Sequence, residues 1–296
     1  MIYTPDQLSL PEFDNPFPKF AVFGHPIAHS LSPKMQNAAL AELAKTRREF
    51  AHSKYYAFDV EPQNLGAVLA EFIGRNFVGI NLTIPHKEVV LPFLKSVDSF
   101  AMRAGACNTL VAESGGWRGF NTDGFGIEGA MEHAFGSGFG GADVFVLGAG
   151  GAARGACFYA LERGCKSLSV ANRSPERLAR LVADIHAAGF ECSTFELSRV
   201  LPIPENAVVV NATSIGLKSD DAPVLDFSAI PASVKFFDMP YRVGSETSSV
   251  LAARKCGIAA SSGLPMLAFQ GAKSMSIWTG ADCRVLAKTM LEALCL

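Results

Sequence analysis

Residues 142–164 read ADVFVLGAGGAARGACFYALERG: an apolar run passes straight into a glycine-rich turn, and a helical pattern follows at once. Few folds accept that order. Gly148, Gly150 and Ala153 stand at the G-x-G-x-x-G/A spacing, and each position has a physical task. Gly148 permits the tight turn, Gly150 lets backbone approach a pyrophosphate, and Ala153 lets the helix pack closely on the strand. The helix that opens here presents N–H groups and the positive end of its dipole to phosphates. A glycine-rich turn alone can be purely structural. With a buried strand before it (Val144 to Leu147) and a helix after it, this one reads as the opening of a dinucleotide-binding βαβ lobe.

The next strand decides which dinucleotide is expected. In SLSVANRSPER the strand ends on Asn172 and Arg173, where an NAD-binding lobe usually offers a carboxylate to the ribose hydroxyls. A carboxylate would repel a 2′-phosphate, whereas a guanidinium pairs with it through charge-assisted hydrogen bonds, so NADP(H) is favoured. A solvated surface arginine is the alternative reading of Arg173. Further on, VVVNATSIGL reads as a buried strand that places Asn211, Thr213, Ser214 and Gly216 at the carboxyl edge of the sheet; the same residues also suit an ordinary polar turn.

Upstream, apolar runs again alternate with helical patterns: FAVFG, a helix from Ser32, YYAFDV, a helix from Pro62, then FVGINLTI. Such alternation predicts parallel βαβ units with helices on both faces. Ser32 can cap its helix, with Pro33 in the first helical position and Met35, Ala39 and Leu43 on one side. Ser174 and Pro175 open a second helix that carries Leu178, Leu181, Val182 and Ile185 on one face and closes at Gly189. Between the two halves lies a glycine-rich connector, Gly136 to Gly141. A chain of 296 residues, 49% of them hydrophobic, can fill two such lobes.

Charge and cysteine usage exclude other classes. With 26 basic and 28 acidic side chains, nothing points to a nucleic-acid or membrane surface, so a small-molecule partner is expected. The N-terminus lacks a signal-peptide pattern, and no uncharged apolar run is long enough to span a bilayer, so a soluble cytoplasmic protein is expected. Seven scattered cysteines without CxxC spacing suit reduced core thiols, and neither they nor the histidines offer a metal-ligand spacing.

The first half carries four polar segments beside its strands: GHPIAHSLSP, NLTIPHK, GACNTL and NTDGFG. Ser30 and Ser32 are spaced so that both hydroxyls can donate to one carboxylate, although a serine before proline equally serves as a cap. The last three segments read as polar residues closing candidate strands. Their convergence on one sheet edge would gather Asn81, Thr83, Lys87, Asn108 and Asp123 around a cleft.

Taken in order with LGAGGAAR, NRS, NATSIG, DMPY and GLPMLAFQGA, these segments resemble the shikimate dehydrogenase family across nearly the whole chain after Phe20. The resemblance implies an α/β protein of two βαβ-type lobes, a substrate lobe at 1–125 and a Rossmann-type NADP-binding lobe at 126–262. C-terminal helices, 263–296, are expected to return to the first lobe. It implies NADPH-dependent, reversible reduction of 3-dehydroshikimate to shikimate on the route to chorismate and aromatic amino acids, by a monomer or homodimer without a metal.

By position, Ser30 and Ser32 look like the carboxylate clamp, and Asn81, Thr83, Asn108, Tyr241 and Gln270 like hydroxyl and ring contacts. Gly148, Ala149, Gly150, Gly151, Ala152, Asn172, Arg173, Ser174, Thr213, Met239 and Gly263 look like the cofactor site. Lys87 and Asp123 look like the catalytic pair. Hydride arriving at a ketone carbon leaves negative charge on oxygen, which a proton donor such as Lys87 stabilises, while Asp123 anchors the ammonium and accepts from a substrate hydroxyl. His86 is the competing acid. Two departures stand out: Gln36 where many members have His, and an N-terminal extension to about Lys19. A quinate dehydrogenase using NAD or NADP would be expected to alter the Asn172–Arg173 site or the serine clamp. A catalytically silent NADP sensor would be free to lose Lys87 or Asp123, and both are present.

Overall fold

Strands buried on both faces need helices above and below them, and this chain supplies both twice. The computed structural model describes residues 1–296 as two compact units, Met1–Thr122 with Ala268–Leu296, and Asp123–Leu267. In the first unit the chain runs through β1 (Ile2–Tyr3), β2 (Lys19–Gly24), α1 (Ser32–Ala44), β3 (Lys54–Asp59), α2 (Leu65–Ile73), β4 (Phe77–Leu82), α3 (His86–Val89), β5 (Ser96–Val97), α4 (Ser99–Ala104), β6 (Thr109–Glu113) and β7 (Gly116–Phe120). These strands form one seven-stranded sheet in the order β1-β3-β2-β4-β6-β7-β5.

The sheet is not the all-parallel one that alternation predicts. β6 runs antiparallel to both β4 and β7; it is joined to β7 by Ser114 and Gly115 in a two-residue hairpin, a link too short to make a crossover. GACNTL therefore opens a strand where the pattern predicted a strand's end. The reversal still delivers Asn108 to the edge reached by Asn81 at the end of β4.

Two smaller departures follow from backbone detail. Ser32 is the first helical residue of α1 and makes no capping bond, since Leu31 already has helical dihedrals and takes the cap position. The helix expected from Pro62 begins as one turn of 3₁₀ helix, Pro62–Asn64, before α2 proper. The N-terminal extension is built into the core. β1 pairs with β3, and Tyr3 and Phe13 join an aromatic cluster with Tyr56 and Phe58, the Tyr3 and Phe13 rings meeting edge to face with centroids 5.2 Å apart.

The second unit contains α5 (Asp123–Phe135), β8 (Asp143–Leu147), α6 (Gly151–Glu162), β9 (Ser167–Asn172), α7 (Pro175–Ala187), β10 (Ser193–Glu196), β11 (Val208–Asn211), β12 (Lys235–Asp238), α8 (Ser248–Lys255) and β13 (Ala259–Ser262). Its six strands are all parallel, in the order β10-β9-β8-β11-β12-β13. The order reverses between β8 and β11, the switch point where doubly wound sheets bind ligands at the strands' carboxyl ends. Helix α9 (Leu264–Thr279) and α10 (Cys283–Leu294) follow, and the chain from Ala268 onward belongs to the first unit, where α10 packs on α1. No helix is long and apolar enough to cross a membrane.

Trp278 on α9 lies across β4, with its Nε1 donating to the Leu110 carbonyl at 2.8 Å. Gly79 is what lets it approach: a Cβ there would sit 2.4 Å from the indole. Gly79→Ala should displace the ring and cost about 1–3 kcal/mol by overpacking. A urea midpoint unchanged from wild type would show that the indole yields freely.

Candidate active site

In the first unit the polar side chains gather where strands end. After β4 the chain turns through Thr83, Ile84 and Pro85 into the single turn of α3. The Thr83 N–H donates to Phe23 at 2.9 Å, and the His25 N–H donates to Ile84 at 3.1 Å, so the ends of β2 and β4 are tied together. Lys87, half-buried on α3, has its carbonyl held by the Cys107 N–H at 2.8 Å. His86 and Lys87 are successive residues of one helical turn, about 100° apart around its axis, so they face differently. His86 is wholly buried, and neither ring nitrogen reaches a hydrogen-bond partner. Burial pushes its pKa down, only partly opposed by the nearby Val60 backbone, so the surroundings favour the neutral ring.

Asn81 lies at the centre of a buried hydrogen-bonded network. Its Oδ1 accepts from the Tyr55 hydroxyl at 2.8 Å, and its Nδ2 donates to the Asn108 carbonyl at 3.0 Å and to Ser274 Oγ at 2.9 Å. Asn108 receives the Thr122 N–H at 2.9 Å and donates to Gln270 Oε1 at 3.4 Å. The first unit thus brings Asn81, Asn108 and Gln270 together. Thr83 stands beside them after β4. Ser30 and Ser32 follow β2, where the Ser32 N–H donates to Ser30 Oγ at 3.3 Å. Tyr55, Thr109, Thr122 and Ser274 complete the network without having been singled out. Thr109 and Thr122 stand inside GACNTL and NTDG, and Ser274 lies one turn beyond Gln270. Tyr241 and Asp123 belong to the second unit, Asp123 as the first residue of α5.

In the second unit the glycine turn has the geometry its spacing implies. Gly148 has φ of 115°, a conformation that glycine adopts without strain, and a Cβ there would meet the Ala212 carbonyl oxygen at 3.0 Å. Gly150 caps α6, with no atom within 4 Å of where its Cβ would be. Ala149, Gly151 and Ala152 complete the turn and the opening of α6, while Ala153 is fully buried against the sheet. Backbone that is open at Gly150 and followed by free helix N–H groups fits a pyrophosphate. Arg173 is exposed just past β9. Beside it Asn172 donates to the Ser174 carbonyl at 2.9 Å, and Ser174 caps α7 by accepting the Arg177 N–H at 3.3 Å.

Past β11, the Thr213 hydroxyl donates to Asn211 Oδ1 at 2.7 Å. Asn211 Nδ2 in turn donates at 2.6 Å to Asp238, a carboxylate with no exposure at the end of β12, which also accepts from the Thr247 hydroxyl. Met239 and Gly263 come so close that a Cβ on Gly263 would lie 2.0 Å from the Met239 carbonyl oxygen. Asp238 links the segment carrying Thr213 to the one carrying Met239. DMPY contains it, but a motif does not reveal burial.

Two family models match the chain: the shikimate dehydrogenase substrate binding domain over residues 22–110, and shikimate / quinate 5-dehydrogenase over residues 130–218. The shikimate dehydrogenase (NADP(+)) of Moorella thermoacetica is 37% identical over 284 residues, covering 93% of this chain and 92% of the relative. Among solved structures, shikimate 5-dehydrogenase from Thermus thermophilus in complex with NADP(H) and shikimate superposes with a TM-score of 0.78 at 34% identity, covering 94% of this chain and all of that one. Quinate dehydrogenase from Corynebacterium glutamicum in complex with NAD gives a TM-score of 0.79 at 26% identity, covering 93% and 99%.

Burial raises the Asp238 carboxyl from its ordinary 3.8 to about 6, against the opposing hydrogen bonds from Thr247 and Asn211. Between those values the folded unit holds a proton that the unfolded chain has released. This contribution to stability is therefore complete below pH 3.8 and lost as pH rises through 6. Relative to Asp238→Asn, the wild type should lose on the order of 3 kcal/mol across that window. Thermal melts with a pH-independent difference between the two proteins would show that Asp238 titrates normally.

Proposed function

The chain belongs to the shikimate dehydrogenase family, and from that premise we propose how its own residues carry the reaction. It is an NADP-dependent oxidoreductase that interconverts 3-dehydroshikimate and shikimate in aromatic biosynthesis. One observation supports this assignment above others. A single chain combines a buried carboxamide and hydroxyl edge suited to a polyhydroxylated ring with an open glycine turn ahead of a helix, followed by an arginine at the end of the next strand.

The bound cofactor supplies or accepts the hydride. Ser30 and Ser32 hold the ring carboxylate by hydroxyl donation, and Thr83, Asn108, Gln270 and Tyr241 orient the ring and its hydroxyls. Both Asn81 amide hydrogens are engaged within the protein, so it offers the ring only a lone pair of Oδ1. Lys87 gives its proton to the carbonyl oxygen as negative charge develops there, and takes one from the alcohol in the reverse direction. Asp123 is the second catalytic residue, the carboxylate that accepts from a ring hydroxyl.

On the cofactor side, the backbone from Gly148 to Ala152 cradles the pyrophosphate. Arg173, with Asn172 and Ser174, takes the 2′-phosphate, while Thr213, Met239 and Gly263 border the remaining end of the cofactor. Seven free cysteines suit a reducing compartment, which supports a cytoplasmic enzyme, acting as a monomer or homodimer.

Lys87→Ala should lower turnover by roughly 10² to 10⁴, with a much smaller effect on substrate affinity. Steady-state kinetics and a binding titration separate the two; near-normal turnover would remove Lys87 from the mechanism. His86→Ala should act chiefly on stability, and loss of turnover equal to that of Lys87→Ala would make His86 the acid instead. Arg173→Ala should weaken NADP binding by roughly 1.5–3 kcal/mol, the worth of a hydrogen bond to a charged group, and hardly alter NAD binding. Equal losses for the two cofactors would place the 2′-phosphate contact elsewhere.

A further inference from the structure

We propose that Ser274 is a positioning residue for the ring-binding edge of the first unit, fixing through one buried hydroxyl both the carboxamide of Asn81 and the turn of α9 that carries Gln270. The proposal rests on the substrate reading given above for Asn108 and Gln270. Ser274 is fully buried. Its Oγ lies 2.9 Å from Asn81 Nδ2, 2.7 Å from Thr109 Oγ1, 3.0 Å from the Gln270 backbone oxygen and 3.3 Å from Thr122 Oγ1. It joins β4, β6 and α9 at one point.

Carboxamides can be turned end for end and hydroxyls can donate in several directions, so the polarity of such a network must be set by groups that cannot reverse. Two backbone groups do this. The Asn108 carbonyl can only accept, which turns Nδ2 of Asn81 toward it at 3.0 Å. The Thr122 N–H can only donate, which turns Oδ1 of Asn108 toward it at 2.9 Å. Ser274 must therefore accept from Asn81, and its single proton goes to Thr109, to the Gln270 carbonyl or to Thr122. Thr109 donates onward to Asn108 Oδ1 at 2.9 Å, which leaves its own oxygen able to accept. Asn108 then presents Nδ2 to Gln270 Oε1. The two backbone groups thus orient Asn81 and Asn108, and the hydroxyls of Ser274 and Thr109 bridge the two carboxamides.

A satisfied buried network of this kind holds one arrangement, whereas a broken one admits several. Without the Ser274 hydroxyl, the second Asn81 hydrogen retains only the Thr109 oxygen, at 3.2 Å. The Gln270 turn also loses the link that runs through Ser274 to β4 and β6, and keeps the bond from Asn108 to Gln270 Oε1 at 3.4 Å. The effect falls on how well the ring is received and leaves proton transfer at Lys87 untouched.

Steady-state kinetics with shikimate and NADP varied separately test this on five variants: Ser274→Ala, Thr109→Val, Thr109→Ser, the Ser274→Ala/Thr109→Val double variant, and Gln270→Ala. Ser274→Ala and the isosteric Thr109→Val should each raise KM for shikimate roughly three- to tenfold, the size of one hydrogen bond. KM for NADP and kcat should stay within about twofold, and Thr109→Ser, which keeps the hydroxyl, should stay near wild type. The double variant should be little worse than either single one, because one circuit is broken once. An unchanged KM for shikimate in Ser274→Ala, beside a raised one in Gln270→Ala, overturns the positioning role and leaves the substrate reading standing. An unchanged KM in Gln270→Ala sinks the substrate reading, and the proposal with it. Additive effects, equal rises for both substrates, or a Thr109→Ser enzyme as weak as Thr109→Val would reduce the residue to packing. Should Ser274→Ala fail to fold, the Thr109 pair puts the same question to the same circuit.

Discussion

A sheet covered on both faces leaves polar chemistry nowhere to go except the ends of its strands. β2 and β11 are buried along their whole length, and apolar side chains fill the space above and below them. Everything that can bind a polar ligand is therefore concentrated at the carboxyl ends of parallel strands. In the first unit one antiparallel strand adds to the same edge with its beginning. Lys87 and the serines follow the strands' ends, and the carboxamides of Asn81 and Asn108 are buried beside that edge only with hydrogen-bond partners in place.

The two units solve the cost of burying polar groups differently. The edge of the first unit is tied together by neutral carboxamides, hydroxyls and backbone, so its internal order does not depend on pH within the range where these groups keep their protons. The second unit ties Thr213 to Met239 through Asp238, a carboxylate without exposure, whose hydrogen bonds only partly offset the loss of water. One arrangement is indifferent to proton activity, and the other responds to it.

How much of this is legible in the sequence depends on how local each signal is. The turn from Gly148 to Ala153 is legible because strand, glycine spacing and helix lie within a few residues. Helix α7 is legible for the same reason, and Ser174 makes the capping bond its position implies. Ser32 shows the limit, since a serine before proline looks the same at the cap and one residue further in, and only the backbone of Leu31 decides. The hairpin had its signals in Ser114 and Gly115, yet the polar residues around Asn108 do not say whether they end a strand or begin one. Ser274 is beyond local reading altogether: its partner Asn81 lies 193 positions away, and only the folded chain brings them together.

The extension ahead of Lys19 acquires its meaning at the margin of the first sheet. β1 covers the outer side of β3 with two residues, and at the opposite margin β5 likewise has only two. A long bare strand at either margin would be a row of unpaired N–H and C=O groups, a template for another chain. Here each margin of the first sheet ends in a strand of only two residues, too short by itself to template another chain.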